Sequence, residues 1–219
     1  MTAALNGIRI LDLTKVLAGP FATQILGDFG ADVIKIERPG EGDDTRAFGP
    51  PFVEGESTYF LSINRSKRSM GLNLKSPAAV NLIKKILTRS DVLIENFRPG
   101  SLKKMGLDYA ALRGLFPKLI YVSISGFGST GPDAHRPGYD LAVQGLSGMM
   151  SITGSADGPP TKVGTSIADL VAGLYAVQGT LLALYAREKT GRGQFVDISM
   201  LDGQISLLTF QGQKFLSTG

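Results

Sequence analysis

Asp169 is the only charged residue between Lys162 and Arg187, and it stands at the head of an apolar run that continues to Ala186. Its spacing from Ser166, in Ser-Ile-Ala-Asp, fits a helix N-terminus whose first-turn amides need an acceptor, although the stricter capping box ends in Glu or Gln. The same helix end keeps a partly desolvated carboxylate ionised and aimed outward, which is what a carboxylate nucleophile requires. Caps are the commoner use of such an acid, so spacing alone makes a structural role the first expectation.

Other chemistries are less well served. Cys is absent and His occurs once, which excludes thiolate nucleophiles, disulfides and Cys-bearing zinc sites. His135, in "PDAHRPGYD", would be the sole imidazole for a Ser-His-Asp site, and no Gly-x-Ser-x-Gly elbow accompanies it. Glu37 lies at the spacing of a ribose-binding acid, but "KVLAGP" at 15–20 lacks the Gly-x-Gly-x-x-Gly that brings backbone to a pyrophosphate. "GEGDDTR" has no calcium-loop spacing, so no metal site is expected. The densest basic stretch, "NRSKR" at 64–68, reads as a solvated loop, with phosphate contact as the alternative.

A length of 219 residues with 43% hydrophobic and 19% charged content supports a soluble globular chain with a substantial core. The net charge of +4 mildly favours anionic ligands, but acids interleave with the bases and no nucleic-acid partner is expected. "MTAALNG" has neither signal-peptide nor transit-peptide character, giving a cytoplasmic expectation; a mitochondrial protein with its transit peptide removed would read the same. Residues 167–186 approach membrane-spanning length, but Asp169, Gln178, Thr180 and two glycines interrupt them, so a buried core helix is expected and no membrane partner.

Elements that could position Asp169 follow from periodicity. "IRILDLT" (8–14) and "ADVIKIE" (31–37) read as strands around a helix within 19–30, which Gly30 ends. The pattern recurs with a strand at 69–74, a helix at 76–89 entered through Ser76 and Pro77, and a strand at 91–97. A helix at 108–116 leads to a strand at 119–128. Such alternation implies an open, doubly wound, Rossmann-like parallel α/β sheet. Residues 126–166 are Gly-, Pro- and Ser-rich; a strand at 193–200 and a helical final stretch follow the core helix. The core is placed at about 6–130, with a loop, the core helix and the last strand and helix in 131–219. Ligands of such sheets sit beyond the carboxyl ends of the strands, here at 15–20, 38–46, 73–77, 96–106 and 126–132. Four of these five loops set Arg or Lys beside Gly, Pro or an amide, a cradle suited to a phosphorylated cofactor.

Taken together, "DLTKVLAGPFATQILGDFGADVIKIERPGEGDDTR", "ENFRPGSLKKMGLDY", "SISGFGSTGP", "GYDLAVQGLSG", "ADLVAGLYA" and "KTGRGQFVDISMLDG" resemble the N-terminal half of class III coenzyme A transferases. "GDDTRAFGPPF" and "STYFLSINRSKRS" are most similar to the succinyl-CoA:glutarate (dicarboxylate) members. The resemblance implies the N-terminal part of the large domain of a longer, interlocked, ring-like homodimer, in which the loop in 131–219 belongs to the active site. It implies CoA transfer from an acyl-CoA to a carboxylic acid with Asp169 as nucleophile and no permanently bound cofactor, and it reverses the first expectation for that residue. It also implies CoA contacts at Leu17, Ala18, Arg38, Leu72, Asn73, Leu74, Lys75, Asn96, Phe97, Arg98, Lys104, Met105, Tyr139 and Asp140. Arg38, Lys75, Arg98 and Lys104 would meet phosphates, while Leu72, Phe97 and Met105 would flank adenine or pantetheine.

Some positions depart from the formyl-CoA transferase pattern. Arg136 and Pro137 stand where a Lys would precede the Tyr, and Lys104 replaces an Arg. The α-methylacyl-CoA racemases of the same fold carry His where this chain has Tyr139, so transfer is the preferred chemistry. The remaining alternative is a CoA-binding or dimer-modulating chain without turnover, because the glycine-rich loop that covers the family's carboxylate lies beyond these residues.

Overall fold

The computed structural model describes residues 2–219. β1 (Arg9–Leu13), α1 (Ala18–Asp28) and β2 (Asp32–Glu37) form the first unit, followed by a hairpin of β3 (Phe52–Val53) and β4 (Glu56–Ser57), α2 (Thr58–Ile63) and β5 (Lys67–Gly71). α3 (Pro77–Leu87), β6 (Val92–Glu95), α4 (Tyr109–Leu112) and β7 (Ile120–Ser125) continue the alternation. α5 (Asp140–Leu146), α6 (Ile167–Thr190), β8 (Phe195–Ser199), α7 (Met200–Ser206) and α8 (Thr209–Thr218) complete it. Six strands in the order β5-β2-β1-β6-β7-β8 make a wholly parallel sheet. The chain order reverses between β1 and β6, so the crevice beyond their carboxyl ends is the natural ligand position.

Alternate strand residues feed two cores. Ile10, Val33, Ile94, Val122 and Ile198 pack with Ala22 and Leu26 of α1 and with the small residues of α6. Leu11, Leu13, Ile36, Leu93 and Tyr121 pack on the other face with Ile83 and Leu87 of α3. Burial on both faces explains why the strands read as nearly continuous apolar runs.

Ala168, Ala172, Ala176 and Ala183 are buried on α6, and its two glycines permit still closer contacts. A Cβ at Gly173 would fall 2.8 Å from the Ala18 carbonyl oxygen, and one at Gly179 would fall 2.6 Å from Val196 Cγ1. The expected core helix is therefore buried along one face only. Leu174, Leu182 and Tyr185 on its other face are exposed, as are Phe210, Phe215 and Leu216 of α8.

Several boundaries differ from expectation. The helix placed at 108–116 shortens to Tyr109–Leu112, and the strand placed at 69–74 runs from Lys67 to Gly71. The hairpin and α2 lie where periodicity indicated nothing; Ser57 caps α2 by accepting from the Phe60 N–H at 3.3 Å. Within "NRSKR" Arg65 and Arg68 are exposed, but Lys67 is not solvated. Lys67 belongs to β5, its side chain is 2% exposed, and its Nζ lies 3.3 Å from Asp12 Oδ2. Arg65 and Arg68 pair with Asp28 and Asp32 at 2.6 Å.

Candidate active site

Asp169 is partly buried in the first turn of α6, facing the start of α1. Gly173, one turn later on the same face, makes this approach possible by letting the Ala18 backbone lie against the helix. The N-terminus of α1 has no side-chain cap of its own. Burial, reinforced by the charge of Asp140, pushes the Asp169 carboxyl up to about 7, while the Ala18 backbone N–H acts in the opposite direction. A helix N-terminus does support this acid, but it belongs to α1. The expectation that its own helix would keep it ionised gives way to a carboxyl balanced near neutrality.

The capping role expected around Ser166 falls to another residue. Ser166 makes no side-chain cap bond, whereas Asp140 Oδ1 accepts from the Ala168 N–H at 2.9 Å across 28 positions of sequence. Asp140 Oδ2 accepts from Gln144 Nε2 at 2.7 Å, and Gln144 Oε1 accepts from the Val163 N–H at 2.8 Å, which fastens the segment entering α6. Asp169 is thereby released from local structural duty. In the adjoining "GYD", Tyr139 is 72% exposed.

Spacing gave no sign of Tyr59. It lines a cavity of about 460 Å³ together with Phe48, Gly49, Pro50, Pro51, Thr58 and Ser62. Burial first, then the negative charges of Asp169, Asp43 and Asp140, push its phenol up to about 12, so it remains a neutral O–H donor. Next to Tyr59 on α2, the Phe60 ring centroid lies 3.7 Å from the Arg46 guanidinium, whose Nε donates to Glu37 at 2.8 Å. Tyr59 lies 110 positions before Asp169, so only folding reveals the connection.

The residues expected to meet CoA fall into three groups. Leu72, Leu74, Phe97 and Met105 are partly buried against the α3-side core, forming an apolar border at the carboxyl edge. Asn73, Lys75, Arg98 and Lys104 are exposed beside it. Arg38 is exposed too, but it pairs with Glu41 at 3.1 Å and closely with Asp44, so an incoming phosphate would compete with acids. Asn96 is engaged internally: its Oδ1 accepts from the Lys15 N–H at 2.9 Å and its Nδ2 donates to the Lys15 carbonyl at 2.8 Å. It joins the loops after β1 and β6 across the chain reversal. Leu17 and Ala18 are buried at the end of that joined loop, beside the candidate nucleophile.

Glu95, at the end of β6, is a second acid of unusual character. Burial pushes it up to about 7 against the lowering effects of the Ser123 hydroxyl and Phe97 N–H, and Asp197 adds to the rise. Its Oε2 accepts from the Phe97 N–H at 2.8 Å, which sets the start of the 96–106 loop.

The sequence profile of CoA-transferase family III matches residues 5–219. The chain belongs to CoA-transferase family III. Among family relatives, succinyl-CoA:glutarate CoA-transferase of Mus musculus is 50% identical over 212 residues, covering 97% of this chain and 49% of that one. Acetyl-CoA:oxalate CoA-transferase of Acetobacter aceti is 49% identical over 215 residues, covering 98% and 55% respectively. The crystal structure of a CAIB/BAIF family protein from Brucella suis superposes with a TM-score of 0.96 at 44% identity, covering all of this chain and 59% of that one. The chain thus spans about half the length of the curated relatives it matches.

Proposed function

We propose that this chain carries the nucleophile and the CoA-facing surface of an enzyme that transfers CoA from succinyl-CoA, or a similar acyl-CoA, to a carboxylic acid. The observation that carries the reading is the release of Asp169 from capping, which leaves a carboxyl near neutrality against the start of α1. In this reaction the Asp169 carboxylate attacks the thioester carbonyl carbon, the C–S bond breaks, and CoA leaves as thiolate. The thiolate attacks the Asp169 carboxyl carbon of the mixed anhydride, expelling the donor acid and forming an aspartyl-CoA thioester. An acceptor carboxylate takes over the aspartyl group with loss of thiolate, which then attacks the acceptor carbonyl to give the new acyl-CoA and regenerate Asp169. A covalent route divides one difficult exchange into easier steps.

In this reading Lys75, Arg98 and Lys104 meet the CoA phosphates, Arg38 joins them by exchanging its acid partners, and Leu72, Phe97 and Met105 flank the adenine or pantetheine. Tyr59, kept protonated, offers an O–H to the acyl or acceptor carboxylate. A homodimer, a cytoplasmic setting and no resident cofactor belong to the same proposal. One observation favours a second reading, a CoA-binding or dimer-modulating chain without turnover: the apolar α6 and α8 surface is uncovered in the monomer.

Mass spectrometry after incubation with succinyl-CoA and hydroxylamine separates these readings. A hydroxamate on the Asp169 peptide is the expected result. CoA binding without exchange supports the second reading, whereas exchange with that peptide unmodified overturns the aspartyl route.

A further inference from the structure

Buried charge that the transfer steps do not use surrounds the loop after β1. Lys35 of β2 and Asp43 are 1% and 4% exposed, and Lys35 Nζ lies 2.8 Å from Asp43 Oδ2. Lys35 Nζ also donates to the Thr14 carbonyl at 2.8 Å. Asp43 Oδ1 accepts from the Val16 N–H at 3.2 Å, and from the Thr45 N–H and hydroxyl at 3.0 and 2.8 Å. Asp12 Oδ1 accepts from the Thr14 N–H at 2.8 Å, and Asn96 brackets Lys15 between them. Every residue from Thr14 to Val16 is consequently held. Val16 needs this support because its φ of +67° is a left-handed conformation that β-branched residues disfavour. Leu17 and Ala18 follow directly; Ala18 lies against the Asp169 end of α6, where a Cβ at Gly173 would fall 2.8 Å from its carbonyl oxygen, and its backbone N–H counteracts the upward shift of the Asp169 carboxyl.

We propose that the buried Lys35–Asp43 pair is a positioning device for the nucleophile, holding the Thr14–Val16 turn so that α1 presents the Ala18 N–H to Asp169. Stability alone is a poor reason for such a pair, since well-packed apolar residues of similar volume commonly match buried ions. Apolar replacements cannot bond to the Thr14 carbonyl and Val16 N–H. The consequence for turnover rests on Asp169 being the nucleophile; the geometry does not. The groups acting on Asp169 are Asp140 of α5 and the Ala18 N–H of α1, and its own charge acts in turn on Tyr59 of α2.

The test follows the Asp169 carboxyl by NMR titration in the 219-residue chain carrying ¹³C-labelled aspartate. In Lys35→Met the midpoint is expected to rise by about one pH unit, corresponding to roughly tenfold less carboxylate relative to acid at a given pH. An unchanged midpoint in the folded variant overturns the proposal. Lys35→Met leaves the Asp43 charge without its cation, so Lys35→Met/Asp43→Leu is measured beside it. The double variant removes one charge of each sign, so net charge cannot account for a shift, and the same rise is expected. If neither variant folds, the pair serves stability and the positioning role is refuted. Hydroxylamine trapping is read separately, because a titration shift without trapping keeps the positioning role and rejects the transfer reaction.

Discussion

Carboxylates at the carboxyl edge of the sheet occupy two opposite electrostatic settings. On the β1–β2–β5 side, burial alone would raise Asp12, but Lys35, Lys67 and the Thr14 and Thr23 hydroxyls outweigh it and hold it below the usual range. Glu37 is buried as well, yet Arg46, Ser69 and the Asp43 N–H bring it down to about 2. Around β6 and α6, Glu95 and Asp169 form no ion pair among the described residues, and burial carries both up to about 7. Similar acids, similarly placed at strand and helix ends, thus acquire different uses. A buried carboxylate with a cation keeps its charge and serves as a fixed anchor. One without a cation exchanges its proton near neutrality and is available for chemistry.

Asp169→Asn produces the largest contrast between the two sides. Hydroxamate trapping and CoA exchange are expected to fall by on the order of 10³-fold or more. In the unaltered chain, trapping should rise with pH through about 7 as the proposed nucleophile ionises. The stability effect has the opposite sign. Raised above its ordinary 3.8, the folded-state pKa makes this carboxyl most favourable to folding below that value, and the contribution is lost as pH rises through about 7. Urea unfolding should therefore find Asp169→Asn more stable by roughly 2–4 kcal/mol at pH 8, with no such gain at pH 4.

Arg46→Met probes the paired side and should cost about 2 kcal/mol at pH 7, since it leaves Glu37 buried without its cation. Glu37 is depressed from 4.5 to about 2, so its contribution is complete above the upper value and lost as pH falls toward the lower. The gap between Arg46→Met and the unaltered chain should close over that acidic window in the same unfolding assay. Glu95→Gln should gain about 1 kcal/mol above pH 7, because removing an unpaired buried charge slightly exceeds the loss when neutral amide bonds replace the charge-assisted ones to the Phe97 N–H and Ser123 hydroxyl. A loss of stability at every pH would instead place Glu95 among the anchors. Asp140→Asn gives the smallest effect: the amide oxygen still caps Ala168, while loss of its charge lowers the Asp169 midpoint by less than about one pH unit, measurable by the same NMR titration.

Much of this arrangement was legible in the chain. Apolar runs such as "IRILDL" and "DVLIE" identified the strands because a doubly covered parallel sheet buries both faces, and Gly30 and Pro77 marked helix limits. Asp169 was conspicuous as a lone charge in an apolar run, and the resemblance supplied the nucleophilic role proposed for it. Lys67 was misread because a basic cluster carries no sign that its middle residue points inward to Asp12. The acceptor for the first-turn amides of α6 was expected in Asp169 itself, within the Ser166–Asp169 pattern, because local patterns favour near neighbours, whereas Asp140 reaches them from another helix.

Local propensity and hydrophobic period, written residue by residue, determined the alternating strands and helices of the main sheet, its parallel character and the acid at the start of α6. Tertiary structure decided which acid caps, which pairs with a cation and which remains near neutrality. Those outcomes depend on distances of a few ångströms between segments far apart in the chain, and on how completely packing removes water from each carboxylate.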